Sequence, residues 1–131
     1  MPMNLAVNFA CVGLGGAVGA CSRYSLSLLL TTQPFVVPYA TLMANLVGTL
    51  IAGFLATLFM GRAMLDGALH LVLVVGFLGG FTTFSAFSVE TLRLAEAGHF
   101  LMAASNVGLN LFGSLIAVTA GAYLARWYAG V

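Results

Sequence analysis

Polar positions are sparse along this chain, and long apolar runs separate them. No charge falls between Arg23 and Arg62, between Asp66 and Glu90, or between Glu96 and Arg126. Each run meets or exceeds the ~20 apolar residues that cross a hydrocarbon core. Leu5 to Leu30 forms a fourth run, interrupted by Arg23. The pattern predicts four transmembrane helices, at roughly 5–30, 38–60, 67–95 and 99–127, in one all-α domain over 1–131. A backbone crossing lipid must satisfy its own hydrogen bonds, and spans this long do so as helices. The first run lacks a basic leading region and is too long for the apolar stretch of a signal peptide, so it reads as a span.

The connectors agree with this division. "TTQPFVVP" holds two prolines, "GRAMLD" a glycine with opposite charges, and "EAGH" a glycine suited to a helix C-terminus. Composition names the solvent: 62% of residues are hydrophobic and 5% charged. A soluble domain carries about 25% charged residues, so the lipid bilayer is the expected surroundings. No basic patch suggests nucleic acid. Cys11 and Cys21 both fall in the first span and read as small core residues, with no disulfide framework.

Charge placement bears on orientation. With four spans, Arg62 and Arg126 share one side, and Arg23 and Arg93 the other. Short loops rich in Lys/Arg prefer the cytoplasm, and two arginines against two give no strong instruction. This balance favours dual topology, in which the same chain inserts both ways and pairs antiparallel. Small-residue faces supply room for packing: Gly15 and Gly19 in span one, and Gly48, Ala52 and Ala56 in span two.

Polar groups at membrane depth are costly and face the protein interior or water. Thr41 and Asn45 share a face of span two. Asn45 has two uses open to it, bonding a neighbouring helix or donating to an anion. Asn106, Asn110 and Ser114 recur every four residues in span four, as helix glue or as a polar track. In span three, "GFLGGFTTFSAF" places Gly79 and Gly80 before Thr82 and Thr83. These residues weaken a helix, so an interruption is expected there. Its free carbonyls suit a cation. Phe84 and Phe87 lie three apart just beyond; they serve as packing, or turn their positive ring edges toward an anion. Arg23 is an interfacial anchor or a vestibule charge. Glu90 pairs with an arginine or hydrogen-bonds at a path end. His70 and His99 sit at span starts.

Four segments resemble, in order, the motifs of the small fluoride channels known as the Fluc or CrcB family: "GGAVGACSRY" (15–24), "TLMANLVGTLIAG" (41–53), "GFLGGFTTFSAFSVET" (76–91) and "NVGLNLFGS" (106–114). The resemblance covers nearly the whole chain. It implies an antiparallel dual-topology homodimer with a broken third helix, two fluoride pores and a central structural sodium ion. By matching motif positions, Gly79 and Thr82 supply backbone carbonyls to Na+. Phe84 and Phe87 are the paired pore phenylalanines and Asn45 the pore amide. Ser114, Asn110 and Asn106 form the fourth-helix track; Thr41 and Glu90 lie on the same path, and Arg23 in the vestibule. Ala40 stands where the family commonly has glycine, and Ala86 where it commonly has threonine.

The function so implied is passive export of fluoride across the plasma (inner) membrane, relieving fluoride toxicity without ATP or proton coupling. The alternative is a small dual-topology multidrug transporter, which needs an embedded carboxylate that span one lacks. An intramembrane enzyme is disfavoured because neither HExxH nor GxSxG is present.

Overall fold

The structure is a computed structural model that describes residues 4–30, 36–60 and 67–130. Arg62, Asp66 and most of the first two predicted connectors lie outside the described residues. All regular structure among the described residues is helical. Helix α1 is Leu5–Leu29 and α2 is Tyr39–Met60. A helical run, α3, comprises Ala68–His70, Leu71–Leu78 and Gly79–Phe81. It is followed by α4, Phe84–Glu96, and α5, Phe100–Ala129.

Four segments are long and apolar enough to cross a membrane: Leu5–Leu29, Tyr39–Phe59, Ala68–Glu96 and Phe100–Ala129. The shortest, at 21 residues, rises about 32 Å at 1.5 Å per residue, matching a hydrocarbon core of about 30 Å. Large apolar side chains such as Leu14, Leu28, Leu111, Phe112 and Ile116 stand exposed around these helices. That is the expected outer surface where lipid is the solvent.

Apolar burial gives little drive inside a bilayer, so close packing must hold the helices together. Two seams achieve it. Along α1 and α3, Gly15 and Gly19 are buried. A Cβ on Gly15 would collide with the Val72 carbonyl oxygen, and one on Gly19 with that of Phe77. From the opposite side, a Cβ on Gly76 would lie 2.7 Å from Val12 O. Along α2 and α5, Gly53 sits against Val118 O and Gly121 against Leu50 O, both too close for a side chain. The span-two residues on this seam therefore include Gly53. Gly48 instead faces the Thr82 side chain, and Ala56 is exposed. The cysteines also differ from expectation: Cys11 is half-buried and Cys21 exposed. Cys21, two residues past Gly19, falls on the opposite side of α1 from the glycine face, whereas Cys11 stands one turn before Gly15 on that face.

Turns and caps are local. Asn4 caps α1 by accepting from Ala6 N at 3.1 Å. Between α4 and α5, Gly98 adopts φ 81°. Gly98 N–H donates to Ala95 O and His99 N–H to Leu94 O, the paired bonds of a glycine-terminated helix end. Hydroxyls within the helices bond back to carbonyls one turn earlier, as Ser22 does to Val18 O at 2.8 Å and Thr119 to Leu115 O at 2.8 Å. A hydroxyl facing lipid is thereby satisfied within its own helix.

Candidate functional site

The site is organised around Thr82 and Thr83. Both have extended backbones, with φ/ψ of −82°/155° and −153°/125°. Helical hydrogen bonding runs to Thr82 N, which donates to Leu78 O at 3.0 Å. Leu78 O also accepts the Thr82 hydroxyl at 2.8 Å. The next donor, Thr83 N–H, would reach Gly79 O in a continuous helix. It goes instead to Asn45 Oδ1, 2.8 Å away on α2. Thr83 also starts α4, because its hydroxyl accepts from Ala86 N at 3.1 Å, an N-cap bond. Immediately upstream, Leu71–Leu78 is wound as a π-helix, a form that is usually brief and often found beside functional sites.

Asn45 replaces the missing helical bonds. Its amide nitrogen donates to Thr83 O at 3.0 Å and to Asn110 Oδ1 at 2.8 Å, while its oxygen takes Thr83 N–H. Both amide hydrogens are committed within the chain. Asn110 donates in turn to Asn106 O and Asn106 Oδ1, each at 3.0 Å. Asn106 then donates to Thr91 Oγ1 at 2.9 Å. Asn106 is fully buried, at 0% exposure, and it does not line either cleft described next. Sequence reading did not single out Thr91; its spacing from Glu90 puts it on another face of the helix, and only the partner across from it reveals its use.

Two clefts flank this network. The larger, about 540 Å³, is lined by Asn45, Thr49, Thr82, Thr83, Phe84, Phe87, Asn110 and Ser114, with Val107, Leu111, Leu115 and Val118. Phe84 and Phe87 hold their ring centroids 5.3 Å apart at 58°, so the rings are tilted and cannot hide both edges against each other. Phe84 is 79% exposed in the single chain. The second cleft, about 340 Å³, is lined by Ala20, Arg23, Tyr24, Ser27, Ala40, Thr41, Ala86 and Glu90. It lies one turn nearer the end where α1 finishes and α2 begins. Ala86, the position without the expected hydroxyl, is on its wall.

The charged groups of the second cleft are held by different partners. Arg23 Nε donates to Gly80 O at 3.2 Å, placing a cation at the C-terminal end of α3, where the helix dipole favours it. Thr41 Oγ1 donates to Glu90 Oε1 at 2.7 Å. The other carboxylate oxygen, Glu90 Oε2, is buried without a hydrogen-bond partner among the described residues.

The sequence-selected residues thus fall into four places, with Asn106 sealed behind both clefts. Asn45, Phe84, Phe87, Asn110, Ser114 and the Thr82 side chain share one cleft. Thr41, Glu90 and Arg23 share the other. Gly79 is exposed, with open space where a Cβ would stand. Among the described residues, no group of three or more His, Cys, Asp or Glu is placed to hold a metal; a cation here would need carbonyl or hydroxyl oxygens.

Four apolar helices long enough to cross a membrane, with a cleft of amides, hydroxyls and phenyl rings set among them, define a multi-pass membrane protein. The family model for CrcB-like protein, Camphor Resistance (CrcB), matches residues 10–122. The chain is 38% identical over 128 residues to the fluoride-specific ion channel FluC of Chlorobium chlorochromatii (strain CaD3), covering 98% of this chain and 99% of that one. It is 45% identical over 118 residues to fluoride-specific ion channel FluC 2 of Symbiobacterium thermophilum, covering 88% and 96%. It is 42% identical over 125 residues to FluC of Chloroflexus aurantiacus (strain ATCC 29366 / DSM 635 / J-10-fl), covering 94% and 98%. The chain belongs to the CrcB family.

Proposed function

We propose that this protein is a fluoride-selective channel that lets fluoride leave the cytoplasm passively across the inner membrane. The observation that carries the reading is the cleft in which Phe84, Phe87, Asn110 and Ser114 meet beside the Thr82–Thr83 interruption. Relatives named as fluoride-specific channels, similar over nearly their whole length, support it.

Fluoride is small and strongly hydrated, so its shell must be replaced stepwise by groups that release it again. The amide hydrogens of Asn45 are committed to Thr83 O and Asn110 Oδ1. Asn45 therefore serves the path by fixing the interruption. The tilted edges of Phe84 and Phe87, with partial positive charge, and the Ser114 hydroxyl receive the ion. Arg23 lines the entrance and draws anions in, while Thr41 beside it gives its hydrogen to Glu90. Glu90 there is held by Thr41, and Asn106 stands behind the path as support.

The proposal includes an antiparallel dual-topology homodimer with a broken third helix and two pores. One wall of the larger cleft is open in the single chain, leaving the Phe84 ring bare; a second copy would close it. It also includes a central structural Na+ bound by the Gly79 and Thr82 carbonyls. Diverting Thr83 N–H to Asn45 removes the ordinary helical donor from Gly79 O, and the exposed Gly79 surface lets another copy approach. Such an ion would neutralise carbonyl dipoles converging between the two chains.

The test is efflux from liposomes loaded with fluoride or chloride. Reconstituted protein is expected to release fluoride down its gradient and retain chloride. Equal release of both ions, or no fluoride release, overturns the reading.

A further inference from the structure

The polar groups beside the larger cleft form a chain with a single direction. It begins at Thr83 N–H, which donates to Asn45 Oδ1. Asn45 Nδ2 donates to Asn110 Oδ1, Asn110 Nδ2 to Asn106 Oδ1, and Asn106 Nδ2 to Thr91 Oγ1. Thr91 Oγ1 donates to Phe87 O at 2.8 Å. Both ends are backbone groups whose polarity cannot invert: an N–H only donates and a C=O only accepts. Turning over any one asparagine would set donor against donor and acceptor against acceptor. The amide orientations are therefore dictated by the two ends.

Thr91 is the link that makes the chain close. Asn106 presents a donor and Phe87 O is an acceptor, so the group between them must accept one hydrogen and donate another. Only a hydroxyl does both at this size. Both ends of the chain also lie on the segment that carries the phenylalanine pair: Thr83 precedes Phe84, and Phe87 bears the final carbonyl. The loop of bonds thus ties α2 and α5 to the start of α4.

We infer that Thr91 is a positioning residue of the ion path: its hydroxyl terminates the one-way chain that sets the orientations of Asn45 and Asn110 and holds the first turn of α4 in register with them. This rests on the channel reading above. Thr91 itself does not line the cleft and acts through Asn106.

The experiment compares Thr91→Val with Thr91→Ser in full-length protein reconstituted in liposomes, alongside NMR of the asparagine side-chain amides in detergent. Valine keeps the shape and leaves a buried Asn106 donor unpaired; this is expected to slow fluoride efflux at least about fivefold. Serine keeps the hydroxyl and is expected to recover most of that loss. Wild-type efflux in the valine variant, or a serine variant as slow as valine, overturns the inference. In the valine variant the Asn106 and Asn110 amide resonances are expected to shift and their hydrogens to exchange faster; unmoved resonances also overturn it. This second readout needs no transport, so a wild-type protein that releases no fluoride sinks the channel reading while the chain is still tested. Should the valine variant not fold, Thr91→Ala takes its place, with the same amide shifts expected and the same outcomes decisive.

Discussion

At Asn45 a single side-chain amide makes three bonds, two of them to the backbone of Thr83. Asn45→Asp would set a carboxylate oxygen against Thr83 O and Asn110 Oδ1, where donors now stand. An unsatisfied buried acceptor costs about 1–3 kcal/mol, more when charged, so fluoride efflux is expected to fall at least about tenfold. Phe84→Ile keeps an apolar side chain of lesser bulk but removes the ring edge. Because Phe84 is mostly exposed in the single chain, the substitution is expected to leave folding intact and to slow efflux strongly. Size-exclusion chromatography and a fluoride electrode check both expectations. Full transport in both variants would remove these residues from the path.

At the scale of elements, the α1–α3 and α2–α5 seams do the work that apolar burial does in soluble folds. Gly121→Ala places a methyl group against Leu50 O, with Phe54 N at 2.9 Å. Backbone cannot yield as a side-chain tip can, so the helices must separate. Over-packing of this kind costs about 1–3 kcal/mol, read as a lowered thermal midpoint in detergent. Gly108→Ala, on the same helix with nothing within 4 Å of the new Cβ, is expected to be neutral or slightly stabilising, since alanine is the better helix former. Equal effects of the two would show that the α2–α5 seam is not the tight contact described. The glycine spacing in span one marked a contact face, and the structure assigns that face to α3. In span two the spacing pointed to Gly48, Ala52 and Ala56, whereas Gly53 meets α5. Four-residue spacing identifies several small faces on a glycine-rich helix; which one is used depends on the helix opposite.

At the scale of the whole molecule, the aromatic and charged residues near the end of α5 suit an interface. Trp127, Tyr128 and Tyr123 are exposed, and Arg126 lies 5.4 Å from the Tyr123 ring centroid. Aromatic rings of this kind anchor at the headgroup level. For the proposed dual topology, tags on one terminus are expected on both faces of the membrane in protease-protection assays; a single face in every molecule excludes it. For the proposed sodium site, exchanging Na+ for a large organic cation at constant ionic strength is expected to lower the thermal stability of the proposed dimer. The stabilisation should return with sodium concentration as a saturable binding effect. A midpoint indifferent to sodium argues against the site.

The chain's solvent and its set of membrane-crossing helices were legible without coordinates. Seven charges in 131 residues cannot cover a surface facing water, and apolar runs that long can satisfy their backbone in lipid only as helices. The polar positions were also legible, because an amide at membrane depth stands out against leucine and alanine. What each amide bonds was not. Periodicity tells which residues share a face of one helix, but a hydrogen bond needs the partner on another. Only the tertiary structure decided that Asn45 spends its hydrogens on Thr83 and Asn110, that Asn106 is sealed behind the cleft, and that Thr91 joins it. Those pairings bring together residues from 15 to 65 positions apart, set by how glycine seams let the helices meet.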